Sequence, residues 1–262
     1  MRAGCGRGDG PLGRCCTHAP RRDEALSDWR DRFAHEVDRR LDVPQAHQQR
    51  YALLLEQVLS TDALVEVAGQ SIVLVGRSPQ VQAAMVLVRT QAGGWHWLGA
   101  TAVSTGKRGT FDHFVTTLGV FAHTLDNPDF RTEGTFNKNH IRGYGVRGRR
   151  IFDFGWQQAE SGWGSGGMSA MRLQMHATDP RLLEPRLGQA ASEGCIRIPA
   201  TLNVFLDRYG VLDADYEAAV ALGKTLSVLD PKRQPMPGPG RYMVIVDSLA
   251  TDRPAWSPAP QG

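Results

Sequence analysis

Cys195 follows Ser192-Glu193-Gly194 and precedes Ile196-Arg197, and His176 ends an apolar run nineteen residues before it. A thiol is a weak nucleophile until it is deprotonated, and a nearby imidazole is the usual means. Glycine directly before the cysteine lets the backbone turn sharply, so that amide hydrogens can face a developing oxyanion. Arg197 lies two residues beyond, on the cysteine's face if the segment is extended, where its guanidinium could hold a substrate carboxylate. By residue type alone the pair proves little, because a lone cysteine is more often a small buried apolar side chain.

Other candidates are weaker. Cys5, Cys15 and Cys16 sit in a Gly/Arg-rich N-terminal stretch, and no CxxC spacing suggests zinc. His113, His123 and His140 with Asp126 and Asp129 match no ligand spacing, so no metal is expected. Asp179 reads as the start of the turn Asp179-Pro180 and not as an orienting partner for His176. Trp156 and Trp163 flank a glycine-rich stretch and read as groove lining or core, and Tyr144 as a groove contact. The cluster Arg142, Arg147, Arg149 and Arg150 reads mainly as a solvated loop.

The elements that must position these residues follow from periodicity. Leu26, Trp29, Phe33, Val37 and Leu41 recur at steps of three and four over residues 23–42, and Pro44 ends that helical pattern. Tyr51, Leu54, Leu55, Val58 and Leu59 form a second apolar stripe, and the two predict a helical hairpin within residues 23–68. From Gln70 the pattern turns to short runs rich in Val, Ile and aromatics, at 71–76, 81–90, 95–103, 115–123, 151–154 and 171–176. After Cys195, Pro199 suits a first helical turn and Gly210 a C-terminal cap. A shorter helix at 213–222 and strands at 225–229 and 241–246 complete the prediction. Strands without regularly alternating long helices favour a mainly β fold, a sandwich or barrel with a few helices, spanning 69–250. Residues 122–150 are the longest poorly patterned stretch and read as a lid or substrate-binding insertion. Residues 1–22 and the Pro-rich 251–262 are expected to be disordered tails.

With 41% hydrophobic and 22% charged residues over 262 positions, wholesale disorder is excluded. A net charge of +3 with Lys and Arg spread along the chain does not suggest a nucleic-acid partner. No apolar run is long enough for a transmembrane helix, and the N-terminus has no apolar core of a signal peptide.

The order and spacing His176, fifteen intervening residues, then Ser192-x-Gly-Cys-Ile-Arg197 resemble the signature of the L,D-transpeptidase catalytic domain. Two upstream segments agree. Val103-Ser104-Thr105-Gly106-Lys107 resembles the family's "vsTGk" strand end, and Thr117-Leu118-Gly119-Val120-Phe121 stands where the family has Thr-Pro-x-Gly-x-Phe. The likeness covers about residues 70–230. It implies an L,D-transpeptidase-like β fold, Cys195 as nucleophile and His176 as its base. It also implies Ser192, Gly194 and the Cys195 backbone as the oxyanion loop, with Arg197 as a substrate contact. Two positions differ. Ala177 replaces the family's glycine, and Glu193 replaces the histidine before Gly-Cys, where an unpaired carboxylate would raise the thiol's pKa.

The resemblance further implies acyl transfer on peptidoglycan stem peptides through a thioester, with no metal or nucleotide, and acylation by carbapenem β-lactams. The cell envelope is the expected location because such stems lie outside the cytoplasmic membrane. Two alternatives are an L,D-carboxypeptidase, in which water replaces the acceptor amine, and a non-catalytic peptidoglycan-binding module with a degenerate site.

Overall fold

A computed structural model describes residues 22–61 and 67–257, so residues 1–21 and 258–262 of the expected tails lie outside the described part. The chain is mainly β with few helices. Its strands form two mixed sheets, and the barrel alternative does not hold.

The first sheet runs in the order β3 (Trp95–Ala102), β2 (Ala83–Arg89), β1 (Ser71–Gly76), β10 (Tyr242–Val246), β5 (Gly119–Ala122), with β1 and β10 parallel. The second joins β4 (Phe114–Val115), β7 (Arg150–Ser161), β8 (Met168–Ala177) and β9 (Ile196–Ile198), with β8 and β9 parallel. The short β6 (Phe130–Arg131) pairs with β7.

Side-chain alternation explains the layers. Val73 and Val75 of β1 point into one apolar cluster with Leu173, Met175, Ile196 and Ile198 of the second sheet, so the two sheets share a core. Ile72 and Leu74 point the other way, into a separate cluster on the first sheet's outer face. That is why β1, SIVLVG, reads as an unbroken apolar run: both of its faces are buried.

The expected helical hairpin is not formed. Helix α1 (Arg22–Glu36) places Phe33 in the inter-sheet core beside Phe205 of α3 (Ala200–Tyr209), whereas α2 (Gln45–Thr61) buries Tyr51, Leu55 and Leu59 on the outer face of the first sheet. Apolar faces drive each helix onto the sheet, and the sheet lies between those faces. Helix α1 also ends before the apolar spacing does. Arg39 takes a positive φ of 53°, and the chain then runs along β3, with Leu41 donating to the Ala100 carbonyl at 2.9 Å.

Three other expectations change. The run 115–123 crosses between sheets, since β4 pairs with β7 and β5 with β10. Residues 225–229 are a turn, in which only Leu229 is buried. The segment 251–257 is docked: Ser257 Oγ donates to the Gln80 carbonyl at 2.8 Å, and Arg253 donates to those of Pro79 and Gly188. Helix α3 follows Pro199 and ends at Gly210 in the left-handed region (φ 57°), as the sequence predicts, and α4 (Ala214–Ala221) follows it.

Candidate active site

Strand β8 turns Met171, Leu173 and Met175 inward, so Arg172, Gln174 and His176 stand on the outer face of the second sheet. The parallel register pairs His176 with Arg197 and Met175 with Ile196. Carried one residue further, it sets Cys195 beside Gln174 on that same face. Strand pairing therefore sets Cys195, His176 and Arg197 on one face of the sheet.

The ladder between β8 and β9 begins only at Ile196. Before it, Gly194 is turned away, its carbonyl accepting from Thr116 Oγ1 at 2.7 Å. The edge of β8 that would have paired with it faces the sulfur instead. Cys195 Sγ lies 3.7 Å from the Arg172 carbonyl, and the Gln174 amide also points at it.

Three segments hold the nucleophile loop in shape. Ser192 Oγ donates to the Cys195 carbonyl at 2.5 Å and accepts from the Gly194 amide at 3.2 Å. Ser104 and Arg197 exchange backbone hydrogen bonds at 2.9 Å in each direction, and the Lys107 amide donates to the Ser192 carbonyl at 3.0 Å. Thr116, which the sequence reading passed over, bridges the two: besides reaching Gly194, its hydroxyl accepts from the Gly106 amide at 2.8 Å. The Ser-Thr-Gly-Lys motif is thus the scaffold of the cysteine loop. A Cβ at Gly106 would strike the Phe114 carbonyl, so only glycine fits there.

Because a carbonyl only accepts, the 2.6 Å contact to the Ala177 oxygen requires His176 Nδ1 to carry the hydrogen. Nε2 is left as the basic nitrogen. Burial, reinforced by the Arg197 charge, lowers the imidazole pKa to about 4. Burial also raises the thiol above its ordinary value, with the Glu193 and Asp153 carboxylates adding to the rise while the Gln174 amide and Arg197 oppose it. The resting pair is consequently neutral thiol and neutral imidazole. Alkylation of Cys195 by iodoacetamide is expected to be slow at pH 7 and to accelerate only above the ordinary thiol range. A rate already maximal at pH 7, followed by intact-protein mass, would contradict that assignment. Linkage has a definite sign here: the folded value lies below the unfolded 6.5, so the stability from keeping His176 neutral is complete above pH 6.5 and lost as pH falls toward 4.

Glu193 is exposed; its carbonyl accepts from the Phe114 amide at 3.1 Å, and its carboxylate acts on Cys195 and Arg197 through charge alone. Arg197 is half-buried and donates to the Ala191 carbonyl at 3.0 Å. Tyr144 packs its ring on His176, centroids 4.5 Å apart, and its hydroxyl is 3.4 Å from Gln174 Oε1. The segment 122–150 therefore does reach over the site.

Sequence reading missed Asp153. It is fully buried on β7, with Arg172 Nε and Gln174 Nε2 each 2.8 Å from Oδ2. That fixes the two side chains flanking the sulfur and leaves Arg172 a partly exposed cation next to the exposed ring of Trp156. A polar residue between Phe152 and Phe154 was the available signal, since those two face the core and Asp153 must face outward.

The remaining candidates have other roles. Asp179 Oδ1 accepts the amides of Arg181 and Leu182, so it caps a turn. Trp163 packs on Phe111 and Phe114. His123 and Asp129 do meet, inside a buried ion network, and among the described residues no cluster suited to a metal forms. Arg150 is wholly buried in that network, which corrects its reading as part of a solvated loop. Among the described residues no helix is long and apolar enough to cross a membrane. Compared with known proteins, the chain matches no family model and no curated relative.

Proposed function

We propose that the protein is a cysteine acyl transferase of the L,D-transpeptidase type, with the corresponding β fold, acting on peptidoglycan stem peptides in the cell envelope. One observation carries the reading: the parallel pairing of neighbouring strands leaves Cys195, His176 and Arg197 on the outer face of the second sheet, beside a loop held by Ser192 and the 104–107 motif.

In this reading His176 Nε2 takes the thiol proton as Sγ bonds to the carbonyl carbon of a stem peptide. The neutral resting pair means the transfer is coupled to attack, since neither group is charged beforehand. The carbonyl π electrons move to oxygen, and the Cys195 amide, which has no acceptor among the described residues, is placed to stabilise that charge. The Gly194 amide is spent on Ser192 Oγ, so it contributes to loop shape more than to the oxyanion. On collapse the C–N bond breaks, and the leaving amine takes the proton from Nε2. A thioester remains, and an acceptor amine, deprotonated by the same nitrogen, displaces the thiol.

Arg197 and Arg172 border the sulfur and suit the free carboxylates of such peptides, and Tyr144 forms one wall. Transfer to water instead of an amine would make the protein an L,D-carboxypeptidase, and product analysis with an added acceptor separates the two.

A carbapenem provides the test. Wild-type protein is expected to gain one ring-opened β-lactam mass, and Cys195→Ala none, with both variants melting alike. An unchanged wild-type mass, or an equal adduct on Cys195→Ala, would overturn the proposal. A His176→Gln variant is expected to acylate at least about 100-fold more slowly, the usual worth of a general base.

A further inference from the structure

The outer face of the first sheet carries a cavity, in a cluster of residues separate from the face that bears Cys195. It encloses about 260 Å³ between α2, the end of β10 and the docked C-terminal segment, with Tyr51, Ser248 and Trp256 in its wall. Each of these three has a buried polar atom short of hydrogen-bond partners: Trp256 Nε1 has none, and Tyr51 Oη and Ser248 Oγ have only each other. Tyr51 is only 1% exposed and Ser248 5%, so solvent does not satisfy them from outside. An orphaned buried polar atom costs about 1–3 kcal/mol, and native interiors contain few. Three such atoms with one bond among them, converging on one small cavity, point to a ligand that supplies the missing partners.

The Trp256 indole can only donate and the two hydroxyls can turn their hydrogens to the same point, so a ligand with acceptor oxygens suits all three. The rim carries two guanidiniums, Arg50 and Arg253, against the carboxylate Asp252, while Asp247, close enough to act on Tyr51, is paired with Arg77. The walls are aromatic, with the Trp256 ring edge-on to His47 at 5.6 Å and to Tyr51 at 6.3 Å. The wall is also firmly built. Arg50 Nη2 donates to the Ser248 carbonyl at 2.8 Å, and the bonds from Arg253 and Ser257 to the 79–80 backbone fix the segment that presents Trp256.

We propose that this cavity binds a small organic carboxylate. Its oxygens accept from the Tyr51 and Ser248 hydroxyls and the Trp256 indole, and its apolar body lies against the aromatic walls. The volume is below the range of drug-sized pockets, which limits the ligand to roughly amino-acid size. This site does not depend on the acyl-transfer reading.

Benzoate is a suitable probe, titrated into the full-length protein while the Trp256 indole N–H resonance is followed, assigned by its loss in Trp256→Phe. A saturable shift in the millimolar range is expected, together with a rise in melting temperature. The double variant Tyr51→Phe, Ser248→Ala should bind at least tenfold more weakly. It removes both partners of one buried hydrogen bond and leaves neither orphaned, so it is expected to fold about as stably as the wild type. Benzamide, the neutral analogue, should give no saturable shift, and Cys195→Ala should bind benzoate like the wild type. The proposal is overturned by a flat benzoate titration, by equal binding in the double variant, or by benzamide or inorganic phosphate binding as tightly as benzoate.

Discussion

Gly194→Ala is expected to lower the rate of Cys195 acylation by at least about 100-fold, because it displaces the nucleophile and not merely a neighbour of it. Gly194 sits at φ 131°, which side chains with a Cβ rarely adopt. An added methyl would run into Met171 Sδ and lie 3.1 Å from Phe114 Cβ. Met171 is held in the inter-sheet core, so its sulfur cannot simply swing away. The loop must yield instead, and it is tied on both sides: the Gly194 carbonyl to Thr116, its amide to Ser192, and the Cys195 carbonyl to the same Ser192 hydroxyl. Release of any one of these shifts Sγ from the β8 edge. The cost to the fold is about 1–3 kcal/mol, since the strain is local. Rate of carbapenem adduct formation and melting temperature, measured on the same sample, separate the two effects. Wild-type acylation by this variant would mean that the loop geometry does not set the nucleophile.

The parts of this site that were legible in the sequence are those built by short-range chemistry. Cys195, Ser192, Gly194 and Arg197 lie within six residues, and the β8 run that ends near His176 is apolar enough to read as a strand. Strand β1 and the flanks of α3 were legible for the same reason, because burial on both faces and a Pro/Gly pair leave strong local marks. Asp153 and Thr116 were not. Each acts through partners between 10 and 78 positions away, and neither belongs to a motif of its own. The full length of β7 was hidden as well. Beyond Phe154 it continues as Gly-Trp-Gln-Gln-Ala-Glu-Ser, where the outward residues are polar and a bulge at Gly155 (φ 75°) breaks the alternation. The false hairpin has a related cause. Helical periodicity reports that a face is buried and says nothing of which side of the sheet buries it.

Arg150→Met is expected to cost about 3–5 kcal/mol of stability, the largest effect of any substitution distant from Cys195. The guanidinium is fully buried, with Nε 2.6 Å from Asp129 and both terminal nitrogens 2.8 Å from Asp213. His123 completes the network. Its Nε2 lies 2.8 Å from Asp129 Oδ1 and its Nδ1 2.8 Å from the Leu212 carbonyl. Both ring nitrogens face acceptors, so the imidazole is protonated, and the Asp129 carboxylate holds its pKa above the ordinary histidine value against the opposing pull of burial. Arg150 and His123 thus face Asp129 and Asp213, while Asp207, 3.4 Å from Nη1, is also paired with Arg131, and methionine would leave the two fully buried carboxylates sharing one imidazolium. Their protonation would relieve part of the loss, so the deficit relative to wild type should shrink as pH falls. A second change, Asp213→Asn in the Arg150→Met background, should recover part of the stability by removing the unpaired charge. His123 sets the opposite pH limit from His176. Its folded pKa is raised, so its contribution is complete below pH 6.5 and fades as pH rises through the folded value. Urea denaturation of wild type, Arg150→Met and the double variant at pH 5.5 and 8.5 checks each of these points. Equal stability of wild type and Arg150→Met at both values would show that the buried ions are not coupled. The consequence would reach the site too, because Asp129 Oδ1 also accepts the Asp153 amide at 2.9 Å, and Asp153 orients Arg172 and Gln174 beside the sulfur.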